Sequence, residues 1–159
     1  MTTVQSSVTA HAHAEVDRNL AFLTYGLLFF SVFFAGVPAL IAVAIAYARR
    51  KDADPLVRGH HSFQIWIFWI GFLMALLAGA AGLTGIMMIV GEAVRLSSVN
   101  SWHGFESVRL SDVVGPLTLS FIATFFLLGV TAGLWLVVTS IYGVIRLASN
   151  KPMGQTRTA

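Results

Sequence analysis

Long apolar runs separated by short polar segments predict membrane-spanning helices in this chain. Three runs, at residues 20–47, 63–90 and 113–145, contain no Asp, Glu, Lys or Arg. Each run is longer than the roughly 20 residues that a helix needs to cross a hydrocarbon core about 30 Å thick. The pattern therefore predicts an all-α integral membrane protein with three transmembrane helices.

The polar segments at the two ends predict one transmembrane domain with a tail on each side. Residues 1–13 are small, polar and unpatterned, which is typical of a flexible tail. The transmembrane domain is predicted for residues 14–150, and residues 151–159 form a second tail. Inside the first span, Gly36 and Pro38 predict a kink, because proline removes a helical hydrogen bond. The kink is either a hinge or a packing bend.

The distribution of Lys and Arg predicts the orientation. The first loop and the residues after the third span contain seven of these residues, whereas the residues before the first span and the second loop contain three. Because cytoplasmic loops carry the excess of Lys and Arg, the N-terminus is expected outside and the C-terminus inside. The second loop, at residues 92–112, is expected to lie externally on the headgroup layer, anchored by Trp102 and Phe105.

Small residues in the second span predict a face for close helix packing. Spacings of three and four residues place them on one side of the helix, and small side chains let helix backbones approach each other. The face can serve packing among the three spans, or it can bind a second copy or another membrane protein. Its members are Gly71, Ala75, Gly79 and Gly82.

The third span carries a polar stripe that falls within about a 100° sector of the helix. Its members are Ser120, Thr124, Thr131, Trp135, Thr139, Tyr142 and Arg146. Two interpretations are open. The stripe can form hydrogen bonds between helices, or it can line a polar cavity.

A candidate polar cluster lies at the cytoplasmic ends of the second and third spans. His60 and Gln64 are four residues apart, so they share a helix face, whereas His61 is expected to point elsewhere. The predicted topology brings Thr139, Tyr142 and Arg146 of the third span towards the same membrane face. The imidazole can relay protons, bind a lipid headgroup or sense pH. It can also play a structural part by bonding the loop backbone.

Composition narrows the functional classes. The chain is 57% hydrophobic and 11% charged, against about 25% charged residues in soluble domains. Its net charge of +3 comes from residues at span ends, so the expected partner is the lipid bilayer and not a nucleic acid. There is no cysteine, and no motif for a metal, a cofactor or a catalytic group is present. A non-enzymatic protein is expected.

The segment AYARRKDADPLVRGHHSFQIWIFWIG resembles a functionally uncharacterised family of small bacterial membrane proteins. The matching positions are Ala46-Tyr47, Arg49-Arg50, Asp52-Ala53, Gly59-His60, Phe63-Gln64-Ile65 and Phe68-Trp69-Ile70-Gly71, and in the tail Trp135, Gly143, Leu147 and Pro152. The family is akin to domains compared with the chloroplast inner-envelope import-translocon subunit. The resemblance implies a multi-pass protein of the bacterial inner membrane.

The chain departs from that family where arginines are replaced by Ser62 and Trp66, and again near Thr139. An activity carried by those arginines would be absent here. The expected function is that of an accessory or assembly subunit, which associates through its helices with itself as a homo-oligomer or with a larger membrane complex. The alternative is a small channel or translocation component that uses the polar face of the third span.

Overall fold

The structure is a computed structural model that describes residues 2–99 and 113–153, with side chains described for residues 13–97 and 113–153. Four helices make up its regular structure in these ranges, which confirms the all-α prediction. They are α1 (Thr2–Phe30), α2 (Val37–Arg49), α3 (Pro55–Val99) and α4 (Pro116–Ala148). The chain divides into two compact units, Met1–Gly71 with Gly133–Ala159, and Phe72–Ala132.

Helix α1 begins much earlier than the sequence pattern predicts. Residues 1–13 were expected to be a flexible tail, but the chain is helical from Thr2. The reason is that no glycine or proline occurs before Gly26 to interrupt the helix. Helix α3 also continues to Val99, into the predicted second loop. The anchors expected in that loop, Trp102 and Phe105, lie outside the described residues.

The predicted first span, residues 20–47, is wrong as a continuous helix. Helix α1 ends at Phe30 and α2 begins at Val37, with a turn between them. Ala35 and Gly36 have φ values of 50° and 81°, a left-handed conformation that glycine adopts without steric cost. Pro38 then occupies the first turn of α2, where its missing amide proton is tolerated.

Helix α2 folds back along α1, and the two pack together as a hairpin. The Arg49 Nη1 atom lies 3.8 Å from Asp17 Oδ1, whereas a continuous helix would separate these residues by about 48 Å at 1.5 Å per residue. The α2 residues buried at the contact are small: Ala39, Ala42 and Ala46. Their spacing places them on one helix face, which explains the close approach to α1. We refer to this element as the α1–α2 hairpin.

Helices α3 and α4 are the two described helices that are long and apolar enough to cross a membrane, over Pro55–Ser97 and Pro116–Ala148. They contain most of the second and third predicted spans. In the first unit the two helices run antiparallel. As the residue number increases along α3, the number of the residue in contact with it decreases along α4 and the segment after it. The pairs in contact are Gly59 with Met153, Phe63 with Tyr142, and Gly71 with Leu136.

The predicted small-residue face is only partly used inside the chain. In the second unit, a Cβ added at Gly82 would lie 2.8 Å from Phe125 Cδ2, so the glycine allows the ring to pack there. In the first unit, Gly71 lies buried beside Leu136. In contrast, Ala75 and Gly79 are exposed, and a Cβ at Gly79 would meet no described atom within 4 Å. The face therefore turns away from internal packing at these two positions.

Two glycines of the second unit, one packed against a ring and one open, give a direct test of this packing. We expect Gly82→Leu to reduce the free energy of unfolding by about 1–3 kcal/mol, because the side chain would overpack against Phe125. The matched variant Gly129→Leu, at an exposed glycine of α4 whose Cβ would meet no described atom within 4 Å, should be neutral within about 0.5 kcal/mol or slightly stabilising, since leucine favours helix. Thermal melts of both proteins in mild detergent measure the difference. Equal melting temperatures would contradict the described contact at Gly82.

Candidate functional site

Four polar side chains are buried together near the start of α3 in the first unit. Tyr25 of α1 and His60, His61 and Gln64 of α3 are each at most 1% exposed. Polar groups removed from water need hydrogen-bond partners to offset the loss of hydration. These four form two short hydrogen-bond chains, which together we call the buried polar cluster.

The first chain joins α1, α3 and the segment after α4. His60 Nε2 lies 3.0 Å from the Lys151 carbonyl oxygen, and His60 Nδ1 lies 3.0 Å from Tyr25 Oη. A carbonyl oxygen only accepts, so Nε2 must carry the proton. In the neutral ring Nδ1 then accepts, and the Tyr25 hydroxyl donates to it. His60 is thereby fixed in one tautomer by two partners that are distant in sequence.

The second chain fixes the orientation of Gln64. Its Nε2 donates to the Ala21 carbonyl oxygen at 2.9 Å, which directs its Oε1 towards His61. His61 Nδ1 therefore donates to that oxygen, also at 2.9 Å. The remaining ring nitrogen, His61 Nε2, is buried and has no hydrogen-bond partner among the described residues.

Two glycines make room for the first chain. A Cβ at Gly143 of α4 would overlap the Tyr25 ring, and a Cβ at Gly59 would lie 2.7 Å from the Met153 carbonyl oxygen. The tyrosine and the polypeptide after α4 can therefore approach His60 only because these positions carry no side chain. Gly143 and His60 are thus linked through Tyr25, although they are far apart in sequence.

The predicted cluster of five residues is not one connected network in the structure. Gln64 bonds His61 and not His60, contrary to the pairing expected from the spacing of four. Thr139 donates to the Trp135 carbonyl oxygen of its own helix. Arg146 donates to Tyr142 Oη at 2.8 Å and to the Pro152 carbonyl oxygen at 2.9 Å. Tyr142 and Arg146 therefore form a separate group that holds the end of α4.

The polar stripe on α4 is satisfied mainly within its own helix. Ser120, Thr124 and Thr131 are exposed, and each donates to a carbonyl oxygen four residues earlier. Hydroxyls bonded in this way cost little in an apolar environment. Trp135 is the exception, because its indole N–H donates to the Ile67 carbonyl oxygen of α3 at 3.3 Å. Of these four members of the stripe, only Trp135 therefore bonds another helix, and the three hydroxyls bond their own backbone.

Hydrogen bonds already engage most of the polar atoms in the buried polar cluster. Both imidazoles have one nitrogen held as a donor, and the hydroxyl of Tyr25 is held against a ring nitrogen. The side chains of Asp17 and Arg49 interact electrostatically with the imidazole of His61, without a hydrogen bond. Among the described residues, no group of three His, Asp or Glu side chains is placed to hold a metal ion. Hydrogen bonds of His60 and Gln64 join α3 to α1 and to the segment after α4.

Comparisons with family models, with curated proteins and with solved structures find no match to this chain. The resemblance to the small bacterial membrane-protein family therefore stays a prediction.

Sequence reasoning did not select Tyr25, His61 or Asp17. His61 and Gln64 are three residues apart, a spacing that shares a helix face as well as four does, so the sequence contained a signal for their pairing. Tyr25 had a weaker signal, since it is a hydroxyl inside an apolar run. The approach of Asp17 to Arg49 depends on the hairpin, which the sequence pattern does not distinguish from a kink.

A double-mutant cycle tests the pairing in the buried polar cluster. We expect His61→Ala and Gln64→Ala to show a coupling free energy of about 0.5–3 kcal/mol, because they share a hydrogen bond. The matched cycle of His60→Ala with Gln64→Ala should give a smaller coupling, since these side chains do not bond each other. Thermal melts of the single and double variants in detergent measure both coupling free energies. A larger coupling for His60 with Gln64 would contradict the described geometry.

Proposed function

We propose that this chain is a non-enzymatic, multi-pass protein of the bacterial inner membrane that acts by helix association. The partner is a second copy of the chain or a larger membrane complex, for which it serves as an accessory or assembly subunit. Two described helices, α3 and α4, are compatible with membrane insertion. The first loop and the segment after α4 are rich in Lys and Arg, which favours a cytoplasmic C-terminus.

The observation that carries the proposal is the outward position of Ala75 and Gly79. Both belong to the small-residue face of α3, and neither is covered by another described part of the chain. In lipid, helices gain little from burying large apolar side chains, because acyl chains are equally apolar. Close contact between backbones, which small residues permit, is the more effective source of association.

Cysteine crosslinking tests the association in membranes. The natural chain contains no cysteine, so a single Gly79→Cys variant gives an unambiguous reporter. We expect a thiol crosslinker to join it to a second copy, or to a partner that yields an adduct of another mass. The matched control is Leu77→Cys, which is also exposed but lies on a different helix face, since two residues rotate the helix by about 200°.

The outcomes separate the two forms of the proposal. A product of twice the chain mass from Gly79→Cys alone supports self-association. A larger stable adduct from the same position supports membership of a larger complex. No product from Gly79→Cys, or equal products from both variants, contradicts association through the small-residue face.

A further inference from the structure

We propose that the α1–α2 hairpin is a re-entrant element, which enters and leaves the bilayer on the cytoplasmic side. Its tip, residues 31–36, lies among the acyl chains of one leaflet, and its base lies at the headgroups. The inference rests on the proposed residence in the membrane, and it is independent of the proposed association through Gly79.

The dimensions of the hairpin fit one leaflet and not a complete crossing. Helix α2 has 13 residues, a length of about 20 Å, whereas a crossing helix needs roughly 20 residues. Near the tip, Val32 lies against Gly133 of α4, and Gly71 of α3 lies against Leu136, one helical turn away. Gly71 is only about 12 Å along α3 from Phe63, where the charge-free run begins. Val32, one turn further in, is then about 17 Å from the level of Phe63, so the tip reaches about the middle of a core about 30 Å thick.

The surface of the tip is suited to acyl chains. Phe33 and Phe34 are 69% and 61% exposed, and Phe30 and Val37 beside them are more than half exposed. In water, these four large apolar side chains would be hydrated, at a free-energy cost of about 25 cal/mol for each Å² of exposed apolar surface. An apolar patch of this kind on a short hairpin marks a membrane or protein contact. Its position beside the transmembrane helices makes lipid the occupant.

Most backbone amides of the tip are hydrogen-bonded within the chain, as an environment without water requires. Unpaired amide and carbonyl groups are costly in the hydrocarbon core, which normally excludes irregular segments. Here the amides of residues 31, 33, 34, 36 and 37 each donate to a carbonyl oxygen within the same segment or at the end of α1. The Ser31 hydroxyl also donates to the Leu28 carbonyl oxygen, at 2.6 Å. The reversal therefore leaves few polar groups to hydrate.

Charge provides an independent argument for the cytoplasmic side. The approach of Asp17 to Arg49 places the residues before the hairpin on the same side as the first loop. With this topology, eight of the ten Lys and Arg residues share one side of the membrane, and two lie on the other. The topology with three spans divides them seven to three, so the re-entrant hairpin satisfies the positive-inside rule better. The eight are Arg18, Arg49, Arg50, Lys51, Arg58, Arg146, Lys151 and Arg157.

This arrangement reverses the predicted location of the N-terminus. A straight first span would place it outside, whereas the re-entrant hairpin places it in the cytoplasm with the C-terminus. The buried polar cluster then lies between the arms of the hairpin and the start of α3, close to the cytoplasmic headgroups. The hydrogen bonds of Gln64 to Ala21 and of His60 to Tyr25 fasten the first arm there.

Labelling of single cysteines with a membrane-impermeant maleimide tests the proposal on the full chain. The variants are Ala14→Cys before the hairpin, Asp52→Cys in the first loop, Phe34→Cys at the tip and Ser101→Cys between α3 and α4. In inside-out vesicles, we expect Ala14→Cys and Asp52→Cys to react at least tenfold faster than Ser101→Cys. In cells with a permeabilised outer membrane, the order should reverse. Phe34→Cys should stay unreactive from both sides and become reactive in detergent.

Each alternative gives a distinct result. Reaction of Ala14→Cys from the same side as Ser101→Cys would overturn the proposal in favour of a straight span. Reaction of Phe34→Cys from the outer side would show that the tip crosses the bilayer. Disulfide crosslinking of Phe34→Cys to a second copy would show that the tip is a protein contact and not a lipid contact. None of these results depends on whether Gly79→Cys forms a crosslink, so failure of the topology and failure of the proposed association are distinguishable.

Discussion

The structure depends on one constraint, that a polar group carried into an apolar environment must find its partner within the protein. Ser120, Thr124 and Thr131 meet it by bonding their own helix. The turn at residues 31–36 meets it by bonding its amides to nearby carbonyl oxygens. Within the buried polar cluster, Tyr25 and His60 meet it over longer distances, since their bonds with the Lys151 carbonyl oxygen join three separate segments. The same constraint therefore permits the chain reversal and directs the helix packing around it.

Small residues determine which approaches are possible. The alanines of α2 bring the hairpin arms together, and Gly143 admits the ring of Tyr25 beside α4. In the second unit, Gly82 admits the ring of Phe125. The outward position of Gly79 differs from these, because no described atom fills the space beside it. This difference is the physical basis for proposing an association that involves another molecule.

The all-α class could be predicted because long charge-free runs are a signal of composition and length. The α1–α2 hairpin could not, because a run of 28 residues fits one long helix or two short ones, and Gly36 with Pro38 is compatible with both a kink and a reversal. What decides between them is the fit of Ala39 and Ala42 against α1, a tertiary contact that the pattern does not encode. The candidate site was partly predicted for a related reason. The sequence pattern selected His60 and Gln64, and the structure buries both, but their partners Tyr25 and Ala21 come from the arm that the hairpin positions.

The distance between residues 17 and 49 tests most directly whether the chain reverses at residues 31–36. Spin labels at Asp17→Cys and Arg49→Cys, in protein reconstituted into lipid vesicles, report this distance without any other cysteine in the chain. The hairpin places these side chains in contact, with charged atoms 3.8 Å apart. Allowing for the length of the labels, we expect the two spins to be less than about 20 Å apart and to show strong dipolar broadening. A continuous helix over the same residues would give about 48 Å. A distance near that value would contradict the hairpin and restore a straight first span.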